Sequence, residues 1–290
     1  MTIKEIAQMA GVSSAAVSRY LNGGYVSEEK KEQIKKVIEK TGYQPSAQAR
    51  ILRTKRACLV GVVVPKINSE SISRVTAGIE QVLSRRGYQM LLASTDNQPE
   101  KEITYLKLFE NYPVDGIVLI ATVITGEHKK FLKESKVPVV VVGQYTRYAN
   151  CIYHDDYGAG KAMGKVAAAA AKDKGRIAYI GVTREDKAVG TAREEGFRAG
   201  LKSQGAELEE EYVRKSQFTM ESGYEAALDL LEKKKDIAVL SCATDTIAAG
   251  AIEAILACSR KKIPREIQDS GTRMEYALKG SSIKVTGFGD

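Results

Sequence analysis

Residues 1–22 read MTIKEIAQMAGVSSAAVSRYLN, and this stretch decides the architecture of the front of the chain. Ile3, Ile6, Ala7 and Ala10 recur at helical spacing and make one apolar stripe. Thr2, followed three residues later by Glu5, forms a capping box: its hydroxyl accepts the Glu5 N–H while the carboxylate reaches back. Gly11 ends that helix by adopting a left-handed conformation at low cost. Ser13 opens a second helix, whose Ala16 and Leu21 pack inward with Val12 and Val17. Two helices of about two turns each bury too little surface to stand alone, so a third must cover them. Val26, Ile34, Val37 and Ile38 supply that face, with Ser27 as N-cap and Gly42 as stop. Three helices with a glycine turn between the first two predict a helix-turn-helix DNA-binding unit. A three-helix protein-interaction module is the plainer alternative.

The second helix presents small side chains to water, Ser13, Ser14, Ala15 and Ser18, followed by Arg19. Small residues let a helix backbone approach base edges, and an arginine there reaches guanine or phosphate. Charge agrees. The 290 residues carry a net +8, and residues 1–60 alone hold 11 Lys or Arg against 5 Asp or Glu. An excess concentrated on one fifth of the chain suits displacement of counterions from a polyanion, although a basic solvated face would have the same composition.

From Leu59 the pattern changes. Leu59 to Pro65 (LVGVVVP) is a continuous apolar run, as in a strand buried on both faces. Helix over 71–86, strand over 90–94, helix over 100–109, strand over 116–120, helix over 127–134 and strand over 138–142 follow. The alternation restarts with helix over 157–172 and strand over 176–181. Helices over 193–204, 220–233 and 247–258 and a strand over 238–242 complete it. Strand and helix alternating at this spacing predict parallel sheets with helices on both faces, in two similar lobes that meet near 143–155. Ligands bind in such a crevice, outside the carboxyl ends of the strands.

Catalysis finds no support. In Gly158-Ala159-Gly160-Lys161-Ala162-Met163-Gly164-Lys165 a dinucleotide fingerprint would need glycine at Met163, and a P-loop would need Ser or Thr at Val166. A helix start with small residues for close packing is the better reading. There is no GxSxG, HExxH or paired-carboxylate motif. Cys58, Cys151, Cys242 and Cys258 form no CxxC pair, which fits a reduced compartment, and His128 and His154 build no metal cluster. No cofactor and no metal are expected. The polar N-terminus and the lack of an 18-residue apolar run argue against a signal peptide or membrane span, so a cytoplasmic location is expected.

Thr2 to Asn22, Val26-Ser27 and Gly42 to Ala47 resemble the headpiece of the lactose-repressor family of bacterial transcription regulators. The likeness continues in Val62 to Pro65, Val114 to Ile117, His154 to Gly160, Arg193-x-x-Gly196-Phe197, Ala243-Thr244-Asp245-x-x-Ala248-x-Gly250 and Val285 to Phe288. It implies a headpiece over 1–45, a hinge helix over 46–57 and an effector-binding, dimerising core over 58–290. The core would comprise an N-lobe to about 148 and a C-lobe from about 149, like a periplasmic binding protein. By position, the resemblance makes Ser14, Ala15 and Arg19 base readers, Ser13, Ser18 and Asn22 phosphate contacts, and Leu52 a wedge in the minor groove. It ranks Arg193 first among effector ligands, then Asp245 and Phe218, with Lys187, Ser71, Ile72 and Asp155 less specific. Local physics offers alternatives: a salt bridge of Arg193 with Glu194 or Glu195, N-capping by Asp245 or Asp155, and core packing by Phe218. The implied function is a homodimeric repressor of sugar-utilisation genes, bound to operator DNA and released by a sugar. A co-repressor system answering to another metabolite, a sugar carrier without regulatory role and an α/β enzyme with a DNA-targeting arm are the alternatives.

The chain also departs from the family pattern. Gln48 and Ile51 replace smaller or polar residues in the hinge. Gly289 stands where an acidic residue often follows the aromatic at 288, and residues 269–282 lengthen the connection to Gly287. Related chains continue past the position of Asp290, so a truncated or altered end is expected.

Overall fold

A computed structural model describes residues 1–43, 56–172, 174–260 and 283–287. Helices α1 (Ile3–Met9), α2 (Ser14–Leu21) and α3 (Glu28–Thr41) form the headpiece. Both halves of the Thr2–Glu5 capping box are made, and Gly11 and Gly42 take φ of +64° and +62°. Ser27 occupies the N-cap of α3, but its side chain makes no capping hydrogen bond. Ile6, Val17 and Ile34 are fully buried at the point where the three helices meet.

The core has two lobes. In the first, β1 (Leu59–Val64), β2 (Gln89–Ser94), β3 (Gly116–Ile120), β4 (Val139–Val142) and β5 (Asn150–Ile152) form a parallel sheet in the order β2-β1-β3-β4-β5. Helices α4 (Glu70–Arg85), α5 (Pro99–Asn111) and α6 (Gly126–Glu134) connect the strands. The apolar run of β1 is buried on both sides: Val63 packs with Leu106, Phe109 and Leu119, and Val62 and Val64 with Ile72, Ile79 and Leu83. The second lobe contains α7 (Asp156–Ala171), β6 (Arg176–Gly181), α8 (Arg193–Lys202), β7 (Val213–Lys215), α9 (Met220–Lys233), β8 (Ile237–Cys242), α10 (Asp245–Arg260) and β9 (Lys284–Thr286). Its sheet runs β7-β6-β8-β9, also parallel, around a single cluster containing Tyr179, Phe197, Leu201, Leu230 and Leu240.

Three differences from the sequence reading have physical causes. Strand β5 pairs with β4, so the first lobe extends past 148 to Ile152 before the chain crosses over. Strands β5, β7 and β9 span only three residues each, too few to show a period of two. Helix α8 begins at Arg193 as expected, but it does not start from a loop: a π-helical turn, Lys187–Ala192, capped by Asp186, runs into it without a break. Expectations for the hinge (Gln48, Ile51, Leu52), for 269–282 and for Phe288, Gly289 and Asp290 lie outside the described residues.

The glycine-rich stretch 158–164 is a packing device. A Cβ at Gly160 would lie 2.2 Å from the Arg193 carbonyl oxygen, and one at Gly164 would lie 2.2 Å from that of Phe197. The absence of side chains there lets α7 and α8 touch backbone to backbone, which fixes where Arg193 stands relative to the start of α7.

Candidate functional site

Two surfaces meet the chemical requirements set by the sequence. The first is the outer face of α2. Its inner face is held by Ala16 and Val17, which leaves Ser13, Ser14, Ala15, Arg19 and Asn22 exposed and Ser18 half-buried. Ser13 also caps the helix, its hydroxyl accepting the Ala16 N–H at 3.2 Å. The Asn22 amide donates to the Ser18 carbonyl and closes the helix end. The candidate reading residues therefore share one surface of one helix.

The second is a cavity of about 630 Å³ between the lobes. It is walled by the loops after β1, β3 and β4 on one side and after β6, β8 and β9 on the other, all carboxyl ends of strands. Ile72, Ile120, Met163, Val189 and Phe218 make much of the wall apolar, while Lys66, Asn97, Gln144, Asp156, Asp186, Arg193 and Thr244 place polar groups among them. A second concavity, about 670 Å³, lies on the second lobe between β7 and α9. Polar and charged side chains such as Arg214, Ser216, Glu225 and Asp229 dominate its lining, and Arg214 and Asp229 are already paired at 2.6 Å. Of these two, the interlobe cavity is the one that combines apolar walls with converging polar groups.

Of the effector candidates, Arg193, Phe218, Ser71 and Ile72 stand on this wall, whereas Asp245, Lys187 and Asp155 do not. Arg193 is held in place by its own chain: Nε donates to Asp156 Oδ1 at 2.6 Å and Nη1 to the Ala243 carbonyl at 2.8 Å. Its partner is thus Asp156, buried at the start of α7, while Glu194 pairs with Arg184 and Arg198, and Glu195 with Arg184. Phe218 has both of its alternative roles, since its ring lines the cavity and packs on the second core.

The other three have local tasks. Asp155 Oδ1 accepts the Gly158 N–H at 2.8 Å as the cap of α7, and the neighbouring Asp156 faces the cavity instead. Lys187 is exposed and donates to the Arg184 carbonyl at 3.1 Å. Asp245 leaves the capping of α10 to Thr244, whose hydroxyl accepts the Ile247 N–H. Its carboxylate packs beside Gly287, where a Cβ would lie 2.5 Å from Oδ1.

Two residues that the sequence reading passed over join the lobes. Gln144 Nε2 donates to the Thr122 carbonyl at 2.8 Å and, across the cleft, to Asp186 Oδ1 at 2.8 Å. That same oxygen accepts the N–H groups of Ala188 and Val189, and Oδ2 has no partner among the described residues. Burial raises the Asp186 carboxyl above the ordinary carboxylate range, against the opposing effect of these hydrogen bonds. Lys66 Nζ makes a second crossing to the Phe218 carbonyl at 2.9 Å. Asp186 had a faint signal, an Asp just before a helix; Gln144 had none, because its partner lies 42 residues away.

Both regions of the chain match known proteins. Residues 57–276 match the family profile of periplasmic binding proteins and sugar binding domain of LacI family, and residues 2–46 match that of bacterial regulatory proteins, lacI family. The sucrose operon repressor of Staphylococcus xylosus is 34% identical over 246 residues, covering 85% of this chain and 75% of its own. Catabolite control protein A of Streptococcus mutans is 30% identical, covering 92% and 80%. A LacI-family regulator from Silicibacter pomeroyi superposes with a TM-score of 0.73 at 26% identity, over 91% of this chain and 79% of that one. The lac repressor dimer bound to operator shares the fold, with a TM-score of 0.76 at 18% identity over 99% and 82%. The chain belongs to the lacI family of bacterial regulatory proteins, DNA-binding regulators of transcription.

Proposed function

We propose that this protein represses sugar-utilisation genes in the cytoplasm, bound to operator DNA as a homodimer and released when a mono- or oligosaccharide enters the interlobe cleft. The cleft carries the reading. Apolar walls suit the C–H faces of a sugar ring, and Gln144, Asn97, Thr244, Arg193 and the Asp186 Oδ2, open among the described residues, suit its hydroxyls. Asp245 supports the wall from behind through Gly287. Relatives add support: a structure of the regulator CelR with cellobiose is 26% identical and superposes with a TM-score of 0.61 over 89% of this chain.

A second copy of the chain fits against α4 and the β2 edge. Helix α4 has no fully buried residue in the single chain, and Val75, Val82, Leu91 and Leu92 are all more than a third exposed. Ligand acts by preferring one angle between the lobes, which Gln144–Asp186 and Lys66–Phe218 now set. The change reaches DNA through residues 46–57, where Leu52 serves as the wedge. Neither a cofactor nor catalysis is required.

The test is a thermal-shift screen of neutral sugars, phosphorylated sugars and purines, followed by footprinting on DNA upstream of neighbouring transport and metabolic genes. A sugar that raises the melting temperature and removes a footprint is the expected result. A ligand that strengthens the footprint makes the protein a co-repressor instead. A folded dimer that footprints nothing refutes the regulatory reading.

A further inference from the structure

The lobes share a topology but not a charge distribution. In a parallel α/β lobe, strand starts and helix ends lie on the side opposite the ligand-binding carboxyl ends. On that side of the first lobe, segments 56–58, 84–89, 107–116, 133–138 and 145–150 hold seven Lys or Arg against three Asp or Glu. The same side of the second lobe, segments 172–176, 202–212, 232–237, 258–260 and 283–284, holds nine against seven. Cations favour helix C-termini in both lobes, so the helix dipole does not explain the difference.

Ion pairing differs in part. In the second lobe Arg176 pairs with Glu209 at 2.6 Å, Lys233 with Asp229 at 2.6 Å, and Lys234 with Glu211, while Lys172, Lys174, Lys202 and Lys235 are exposed and make no ion pair among the described residues. In the first, Arg85, Arg86, Lys107, Lys133 and Lys136 are all exposed, and none makes an ion pair among the described residues. Two of the three acids there are occupied with backbone: Asp115 accepts the N–H groups of Ala57 and Cys58 at 2.9 and 2.8 Å, and Glu110 accepts that of Lys136 at 3.0 Å.

The same hydrogen bonds tie the segments into one surface. Cys58 offers its carbonyl to the Gln89 N–H at 2.8 Å, next to Arg85 and Arg86. Arg147 lies over the Tyr148 ring at 5.0 Å, and Arg147, then Lys133 and Lys129, hold the Tyr148 hydroxyl below its ordinary range. Asp115 also fixes the point where the chain arrives from the headpiece. The twelve residues 44–55 span at most about 40 Å, so DNA gripped by α2 is kept near this side.

We infer that the strand-start side of the first lobe is an auxiliary, sequence-independent surface for the phosphates of the duplex that the headpiece holds. The inference rests on the headpiece reading DNA. Exposed cations without carboxylate partners release counterions when they meet a polyanion, whereas cations already paired with carboxylates release few.

The test uses the full chain and a random-sequence duplex of about 40 base pairs, with affinity followed by fluorescence anisotropy across a salt series. One variant combines Arg85→Gln, Arg86→Gln, Lys107→Gln, Lys133→Gln and Lys136→Gln. A second, of equal charge change, combines Lys165→Gln, Lys172→Gln, Lys174→Gln, Lys202→Gln and Lys235→Gln on the other lobe. Every phosphate that is no longer neutralised flattens the slope of log K against log salt by about 0.9. The first variant should therefore have a slope shallower by about two or more and bind about tenfold more weakly near 0.1 M salt. The second, whose lysines are likewise unpaired among the described residues but sit on the lobe that the chain from the headpiece does not join, should match wild type. Equal effects from both variants, or none from the first, overturn the inference. Wild-type protein that binds no duplex overturns the headpiece reading instead. Circular dichroism melts check that both variants fold.

Discussion

Gly160→Ala tests whether the α7–α8 interface governs the cleft. Helix propensity alone favours the substitution, since alanine is about 1 kcal/mol better than glycine inside a helix. Packing opposes it. The new Cβ would sit 2.2 Å from the Arg193 carbonyl oxygen and 2.9 Å from its carbonyl carbon. Carbon normally approaches a carbonyl oxygen no closer than about 3.3 Å, so the two helices must separate by about 1 Å. They cannot do so locally, because Gly164, Gly196 and Gly200 lie just as close to the facing backbone: a Cβ added at any of them would sit 2.1–2.2 Å from a carbonyl oxygen. Overpacking of this kind costs about 1–3 kcal/mol, and a rigid backbone neighbour places it at the upper end. The net expectation is a loss of about 1–2 kcal/mol, read as a lower urea midpoint at constant m-value. Arg193 would move with α8, so ligand affinity should fall as well. Gly126→Ala, at an open position with nothing within 4 Å, serves as the control and should be neutral or slightly stabilising. A midpoint for Gly160→Ala at or above wild type would mean that propensity wins and that the close approach of the helices is not limiting.

The adjacent acids should separate cleanly. Asp156→Ala removes the carboxylate partner of the largely buried Arg193 guanidinium and should cost about 3 kcal/mol together with ligand binding, whereas Asp155→Ala should lose only a cap, about 1 kcal/mol, with affinity unchanged in calorimetric titration. Glu102 is buried against His128 at 2.9 Å, and burial raises its carboxyl above the ordinary range despite that hydrogen bond. A raised folded-state pKa favours folding at low pH, and that contribution disappears as pH rises through the folded value. Glu102→Gln should therefore gain stability relative to wild type between acid and neutral pH, and a pH-independent difference in chemical denaturation would refute the assignment. Arg19→Ala should cost about 1–3 kcal/mol at one operator position if the side chain reads a base; uniform weakening across operator variants would make it a phosphate contact.

Local rules carried the sequence reading a long way. The capping box at Thr2, the glycine stops and the burial of Val17 and Ile34 all follow from spacing within a few residues, and so do the headpiece helices. The run 59–65 announced a strand covered on both sides because every residue in it is apolar or glycine, apart from the proline that ends it. What stayed hidden was whatever depends on partners distant in the chain. Asp155 and Asp156 are chemically identical in sequence, and only the helix packing through Gly160 decides that the second of them meets Arg193, 37 residues on. Gln144 and Asp186 face each other only because two sheets bring their strand ends together. Periodicity encodes which face of an element is buried, whereas pairing across a cleft is settled by the geometry of chain crossings.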